Sequence, residues 1–211
     1  MQNSSYCTFY IIRHGQTEWN LKKIIQGHED SPLTEMGINS AKQQAKELKD
    51  IQFDAIFSSD SLRAKQTADI IALKRNIAVK TTQLLRERSF GKYEGRSLDI
   101  FTNELGQLVE RFEKLSDKEK KKHKYPTMES DEQTVGRFIT FLREIAVAYP
   151  GRTVLAISHS VMISALLIHL GYIKYHENPT YLFPHNSYVI LESDGVEFDV
   201  KEVRKIMHDK M

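Results

Sequence analysis

Two histidines in this chain directly follow short apolar runs. Arg13-His14-Gly15-Gln16-Thr17 comes after Thr8-Phe9-Tyr10-Ile11-Ile12, and Ser158-His159-Ser160 after Thr153-Val154-Leu155-Ala156-Ile157. A third run, Phe53 to Phe57, ends in Ser58-Ser59, with Arg63 shortly after it. These residue types suit one kind of chemistry when brought together. Two guanidinium groups grip an anion through forked hydrogen bonds. A neutral imidazole attacks phosphorus and forms a phosphohistidine. A second imidazole, in its protonated form, stabilises the oxygens of the phosphoryl group in transfer. A carboxylic acid is still needed to protonate the leaving oxygen, and Arg86-Glu87-Arg88, in a glycine-bearing loop, offers Glu87. The arginines supply the positive charge, so this scheme calls for no metal. Singly, an exposed glutamate or an Arg-His pair carries little meaning. Histidines after two separate buried strands carry more.

The elements that position these residues follow from hydrophobic pattern. The three apolar runs are continuous rather than alternating, which predicts parallel strands covered on both faces. Helical periodicity lies between them: Ala41, Ala45 and Leu48 behind a cap at Thr34; Leu62 to Leu73; and a stripe of Val135, Phe138, Ile139, Leu142, Ile145 and Ala146 behind the capping-box sequence Ser130-Asp131-Glu132-Gln133. Val161 to Leu170 predicts a mostly buried helix. Ser187 to Glu192 and Val196 to Val200, around Ser193-Asp194-Gly195, predict a hairpin. Alternating strands and helices give an α/β fold: a mainly parallel central sheet with helices on both faces, in three layers. In such sheets ligands bind beyond the carboxyl ends of the strands, where both His and both Arg fall. Helices beginning near Gly15 and Ser160 would add backbone N–H donors for an anion. Residues 113–130 are Lys-rich, contain Pro126 and lack clear periodicity, so they read as a lid-like insertion or a solvated loop within a single domain spanning 1–211.

Composition narrows the functional classes. The chain has 211 residues, with 40% hydrophobic and 27% charged residues, as expected of a folded domain with one substantial core. Net charge is +2, too balanced for a nucleic-acid binder, although Glu110 to Tyr125 carries seven basic against four acidic residues. The longest apolar stretch, Val161 to Ile173, is broken by Ser164, His169 and Gly171 and is too short for a membrane span. The N-terminus lacks the basic region of a signal peptide, and the single Cys7 permits no internal disulfide, so a cytoplasmic location is expected. There is no H-E-x-x-H, no cysteine cluster, no phosphate-binding glycine loop and no G-x-S-x-G elbow. His123, His169, His176, His185 and His208 show no familiar metal-ligand spacing.

The motifs in order resemble the histidine phosphatase superfamily, in the branch of cofactor-dependent phosphoglycerate mutases and small-molecule phosphatases. Arg13-His14-Gly15-Gln16-Thr17 with Asn20 is similar to the signature around the phosphorylated histidine. Gln26-Gly27 and Asp30-Ser31-Pro32-Leu33-Thr34 with Gly37 resemble the segment that follows. Phe57 to Ala68 resembles the second-arginine motif, Leu85 to Gly95 the proton-donor loop, and Ser158-His159-Ser160 the second-histidine motif, while Glu129-Ser130 stands where many members have Gly-Glu-Ser. The resemblance covers nearly the whole chain. It implies a phosphoglycerate mutase-like fold, His14 as nucleophile, Arg13, Arg63 and His159 as a phosphate pocket, and Glu87 as proton donor. It further implies Asn20, Gln26, Gly27 and Ser160 as substrate-binding residues. Two departures stand out: Met128 replaces the usual Gly before Glu129, and Val161-Met162 replaces a smaller continuation after the second histidine. The short chain, and Arg88-Ser89-Phe90-Gly91 after Glu87 where the mutases carry a Tyr-Gly-bearing sequence, favour a phosphatase of small molecules. A mutase and a catalytically silent scaffold are the alternatives. The expected partner is a small phosphorylated substrate, with no cofactor, metal, nucleic acid or membrane. A homo-oligomer has no support in the sequence.

Overall fold

The computed structural model describes residues 6–177, 183–185 and 187–205. Six strands form one sheet in the order β3-β2-β4-β1-β5-β6. They are β1 (Cys7–Arg13), β2 (Ala55–Ser59), β3 (Val79–Thr82), β4 (Thr153–Ser158), β5 (Ser187–Ser193) and β6 (Phe198–Lys205). The first four are mutually parallel, and the β5–β6 hairpin is antiparallel, adding to β1. Among the described residues the helices are α1 (Glu18–Leu21), α2 (Glu35–Glu47), α3 (Leu62–Ala72), α4 (Leu98–Glu113), α5 (Asp117–Lys122), α6 (Asp131–Ala148) and α7 (Ser160–His169), with short 3₁₀ turns that include Gln83–Leu85.

The period-2 alternation of each strand divides the core. Phe9, Ile11, Phe57, Val154 and Ala156 pack against Val135, Phe138, Phe141 and Leu142 of α6 and Met162, Ile163 and Leu166 of α7. Ile12, Ile56, Leu155 and Ile157 point to the opposite face and pack against Ala64, Ala68 and Ile71 of α3 and Leu48 at the end of α2. Three apolar strands with helices on both faces thus give the expected three-layer arrangement. Among the described residues, no helix is long and apolar enough to cross a membrane.

Helix starts follow their caps. Thr34 accepts from the Gly37 N–H at α2, and Ser130 and Gln133 form the reciprocal capping box at α6. Two expectations change. The 113–130 segment is not irregular throughout, because α5 forms there on a capping box of Ser116 and Glu119. The sequence reading also missed α4 and β3. The α4 signal was present: Leu98, Phe101, Leu105, Leu108 and Phe112 recur at alternating spacings of three and four behind Ser97, which caps the helix. β3 is a four-residue edge strand with no buried residue, so it has no apolar run to find.

Candidate active site

Strand register brings the two histidines together. Arg13 of β1 lies opposite Ser158 of β4, and the His14 N–H continues the ladder to the Ser158 carbonyl at 3.0 Å. His14 and His159 therefore leave adjacent strands at the same level, with ring centroids 5.1 Å apart. On the far side of β4, Ser59 of β2 pairs with Thr82 of β3. Those two strands deliver Arg63 at the start of α3 and Glu87 after the Gln83–Leu85 turn. All five side chains meet beyond the carboxyl ends of parallel strands, and all are buried.

Hydrogen bonding fixes the state of each imidazole. His14 Nδ1 lies 2.7 Å from the Gly15 carbonyl, which only accepts, so Nδ1 carries a proton, and in the neutral ring Nε2 keeps its lone pair. Burial, together with Arg63, Arg13 and His185, holds His14 well below the ordinary histidine pKa. His159 Nδ1 accepts from Arg63 Nη2 at 3.2 Å, and its Nε2 lies 3.4 Å from Ser61 Oγ. His159 is likewise held well below its ordinary value by burial, Arg63 and His14. The resting second imidazole is thus neutral, a donor through Nε2–H rather than the cation envisaged from sequence.

The guanidinium groups are held by the protein and keep spare donors. Arg63 donates to the Asp30 carboxylate and the Glu29 carbonyl, both at 2.7 Å, and to the Gly27 carbonyl at 2.8 Å. Arg13 donates to the Phe183 carbonyl. Among the described residues, the buried Nε of each arginine has no hydrogen-bond partner, nor does Gln26 Oε1. Unpaired buried donors on cations are costly unless a ligand completes them. Burial lowers Arg13 to about 10, which leaves it charged at neutral pH.

Glu87 sits at the beginning of α7. Its carboxylate accepts from the Val161 N–H at 3.1 Å, the Met162 N–H at 3.0 Å and the Arg88 N–H at 2.9 Å. This corrects the expectation that α7 presents open N–H donors to an anion, since the Val161 and Met162 N–H groups in its first turn already donate to a side chain. The same bonds place Glu87 beside His159 and give the Val161-Met162 departure a reason. The contact is made by backbone, while the Met162 side chain is fully buried in the core. Nor does a helix begin at Gly15. α1 starts at Glu18 behind Thr17, and the Gly15 N–H donates to Thr67 Oγ1 at 3.0 Å.

The remaining expected residues have structural partners. Asn20 closes the α1 capping box by accepting from Thr17. Ser160 Oγ donates to the Phe183 carbonyl and accepts its N–H, fixing the residue that Arg13 also binds. Gly27 has a φ of +52°, and its carbonyl serves Arg63. Sequence reasoning missed Asp30, which also accepts from the Leu62 N–H at the start of α3, and Ser61. It weighed His185 only as a metal ligand. His185 donates from Nδ1 to the His14 carbonyl at 3.2 Å, and burial takes its pKa down to about 3. No sequence signal marks a backbone carbonyl as its partner.

A model of the histidine phosphatase superfamily, branch 1, matches residues 9–205. The chain belongs to that superfamily. A Bacillus subtilis member named "Uncharacterized phosphatase PhoE" is 32% identical over 161 residues, 76% of each chain. Among solved structures, Bacillus stearothermophilus YhfR superposes with a TM-score of 0.79 at 28% identity, covering 92% of this chain and 95% of that one. A phosphoglycerate mutase from Bacillus anthracis gives 0.77 at 28% identity, covering 94% and 93%. The fold is thus phosphoglycerate mutase-like. In this superfamily member His14, Arg13, Arg63, Glu87 and His159 form one buried cluster from four separate strand ends.

Proposed function

We propose that this protein is a metal-independent phosphatase of small phosphate monoesters that works through a phosphohistidine at His14. The observation that carries the reading is the His14 ring itself, neutral, with Nδ1–H tied to its neighbour's carbonyl and Nε2 unprotonated, in a buried cluster with two arginines whose Nε donors are unused. In the first step His14 Nε2 attacks phosphorus and the ester P–O bond breaks. Glu87 gives its proton to the departing oxygen. In the second step water attacks the phosphohistidine, Glu87 takes the water's proton and the N–P bond breaks, releasing phosphate. Arg13, Arg63 and the His159 Nε2–H hold the phosphoryl oxygens throughout. The relative named as a phosphatase, matched over three quarters of each chain, supports hydrolysis over phosphoryl transfer between substrate positions.

The test is phosphate release from 4-nitrophenyl phosphate in excess EDTA, comparing wild type with His14→Ala. The wild type should turn over, and the variant should lose on the order of a thousandfold or more while keeping its thermal melt. Wild-type activity in His14→Ala, or loss of activity on chelation, overturns the proposal. An inactive wild type that isomerises phosphoglycerate would reassign the chain as a mutase.

A further inference from the structure

Outside the reacting cluster, one side chain donates to four backbone carbonyls of the loop that carries Glu87. Arg137 lies on the second turn of α6, half-buried. Its Nε and Nη2 form a fork on Glu129, at 3.0 Å and 2.9 Å. The rest of the guanidinium reaches into the donor loop. Nη1 donates to the carbonyls of Gln83, Leu84 and Arg86 at 3.4, 3.3 and 3.2 Å, and Nη2 to the carbonyl of Glu87 at 3.2 Å. The Gln83 carbonyl also accepts the Arg86 N–H that closes the Gln83–Leu85 turn, and the run of carbonyls facing Arg137 continues beyond that turn to Glu87.

We infer that Arg137 is a positioning residue for the proposed proton donor: with Glu129 it braces the 83–87 backbone so that the Glu87 carboxylate reaches the start of α7 beside His159. This rests on the assignment of Glu87 as donor. It also gives Glu129 a role that the resemblance did not supply. Glu129 does not stand free for a substrate. It pairs with Arg137 and accepts the Ser89 N–H at 2.9 Å, so it grips the loop on the other side of Glu87. Burial works against its charge, but Arg137 and the Ser89 N–H hold Glu129 below the usual carboxylate range. The loop's other anchors reach fewer of its carbonyls: Ser158 Oγ donates to that of Leu85 and His28 Nε2 to that of Glu87, while Arg86 forks onto Asp60, Arg88 pairs with Asp131, and the Glu87 carboxylate accepts from α7. A planar fork with five N–H groups reaches the carboxylate and all four carbonyls, with the two Nη1 hydrogens shared among three carbonyls at 3.2–3.4 Å. Lysine, with three donors at one point, does not.

A positioning role predicts a leaving-group signature. Proton donation matters most for a poorly departing alkoxide and least for 4-nitrophenolate. The experiment measures kcat/KM of wild type, Arg137→Met, Arg137→Lys and Glu87→Gln on 4-nitrophenyl phosphate and on an alkyl phosphate that the wild type hydrolyses. Arg137→Met should lose at least tenfold more on the alkyl substrate than on the aryl one, in the same sense as Glu87→Gln, and Arg137→Lys should fall between it and wild type. Added methylguanidinium should restore part of the alkyl rate to an Arg137→Ala variant. If Arg137→Met does not fold, Arg137→Lys carries the same comparison. Equal losses on both substrates, while Glu87→Gln remains selective, overturn the inference alone. A Glu87→Gln enzyme without selectivity overturns the donor assignment, and the inference with it.

Discussion

Gly37 lies far from His14 in sequence, yet its missing side chain sets where His14 sits. The loop after β1 rests directly on the first turn of α2: the Thr34 N–H donates to the Gln16 carbonyl at 2.9 Å, and Thr34 Oγ1 donates to Gln16 Oε1 at 3.0 Å. A Cβ built on Gly37 would stand 2.1 Å from the Gln16 carbonyl oxygen, and one on Gly15 would stand 2.7 Å from the Gly37 carbonyl oxygen. Neither obstacle is a flexible side chain. In Gly37→Ala the backbone must therefore part by roughly 1 Å to reach an ordinary contact. Alanine returns about 1 kcal/mol of helix propensity, while forced expansion in a packed region costs about 1–3 kcal/mol. The net expectation is a loss of up to about 2 kcal/mol, or a fall in Tm of up to roughly 8 °C at this chain length. The effect on rate should be larger. The displaced carbonyl lies two residues from His14 and next to the Gly15 carbonyl that fixes its tautomer. A misplacement near 1 Å costs on the order of a hundredfold in rate. The assay is kcat on 4-nitrophenyl phosphate with a thermal melt of the same preparation. Gly136→Ala is the control, because a Cβ on Gly136 in α6 meets nothing within 4 Å. It should gain up to about 1 kcal/mol with unchanged kcat. A Gly37→Ala enzyme with raised Tm and full kcat would refute the reasoning, showing that the two backbones are not in a contact that positions the histidine.

Three further outcomes follow from the site. Glu87→Gln should slow alkyl phosphates far more than aryl phosphates, and a uniform decrease across leaving groups would remove Glu87 from proton transfer. Arg63→Met should raise KM and cost about 2 kcal/mol of stability, less than the usual loss for a fully buried ion pair because Asp30 is 31% exposed; an unchanged KM would place Arg63 outside the phosphate pocket. Stability should fall as pH drops below about 6.5. His14, His159 and His185 resist protonation in the folded protein, His185 down to about 3, whereas the unfolded chain takes up those protons near the ordinary histidine value. Each contributes up to about 1.4 kcal/mol per pH unit in that window. Urea unfolding at pH 7.5 and 5.5 checks this, and equal or greater stability at pH 5.5 contradicts it.

The sequence by itself determined the layers and where the chemistry falls along the chain. Buried parallel strands must be apolar throughout, so β1, β2 and β4 announce themselves, and the residues that end them are legible as a set. Caps are local, so Thr34 and Ser130 marked true helix starts. β3 escaped because an exposed edge strand needs no apolar run. Register belongs to the tertiary structure, because it depends on how strands distant in sequence pair. Only that pairing sets His14 beside His159 and brings Glu87 from beyond β3 to the start of α7. The protonation states were equally out of reach of sequence. His159 reads as a candidate cation until Arg63 is seen donating to its Nδ1 inside a buried pocket. Arg137 shows the same limit. Its acceptors in the donor loop are all backbone carbonyls, which every residue type carries and no sequence pattern distinguishes.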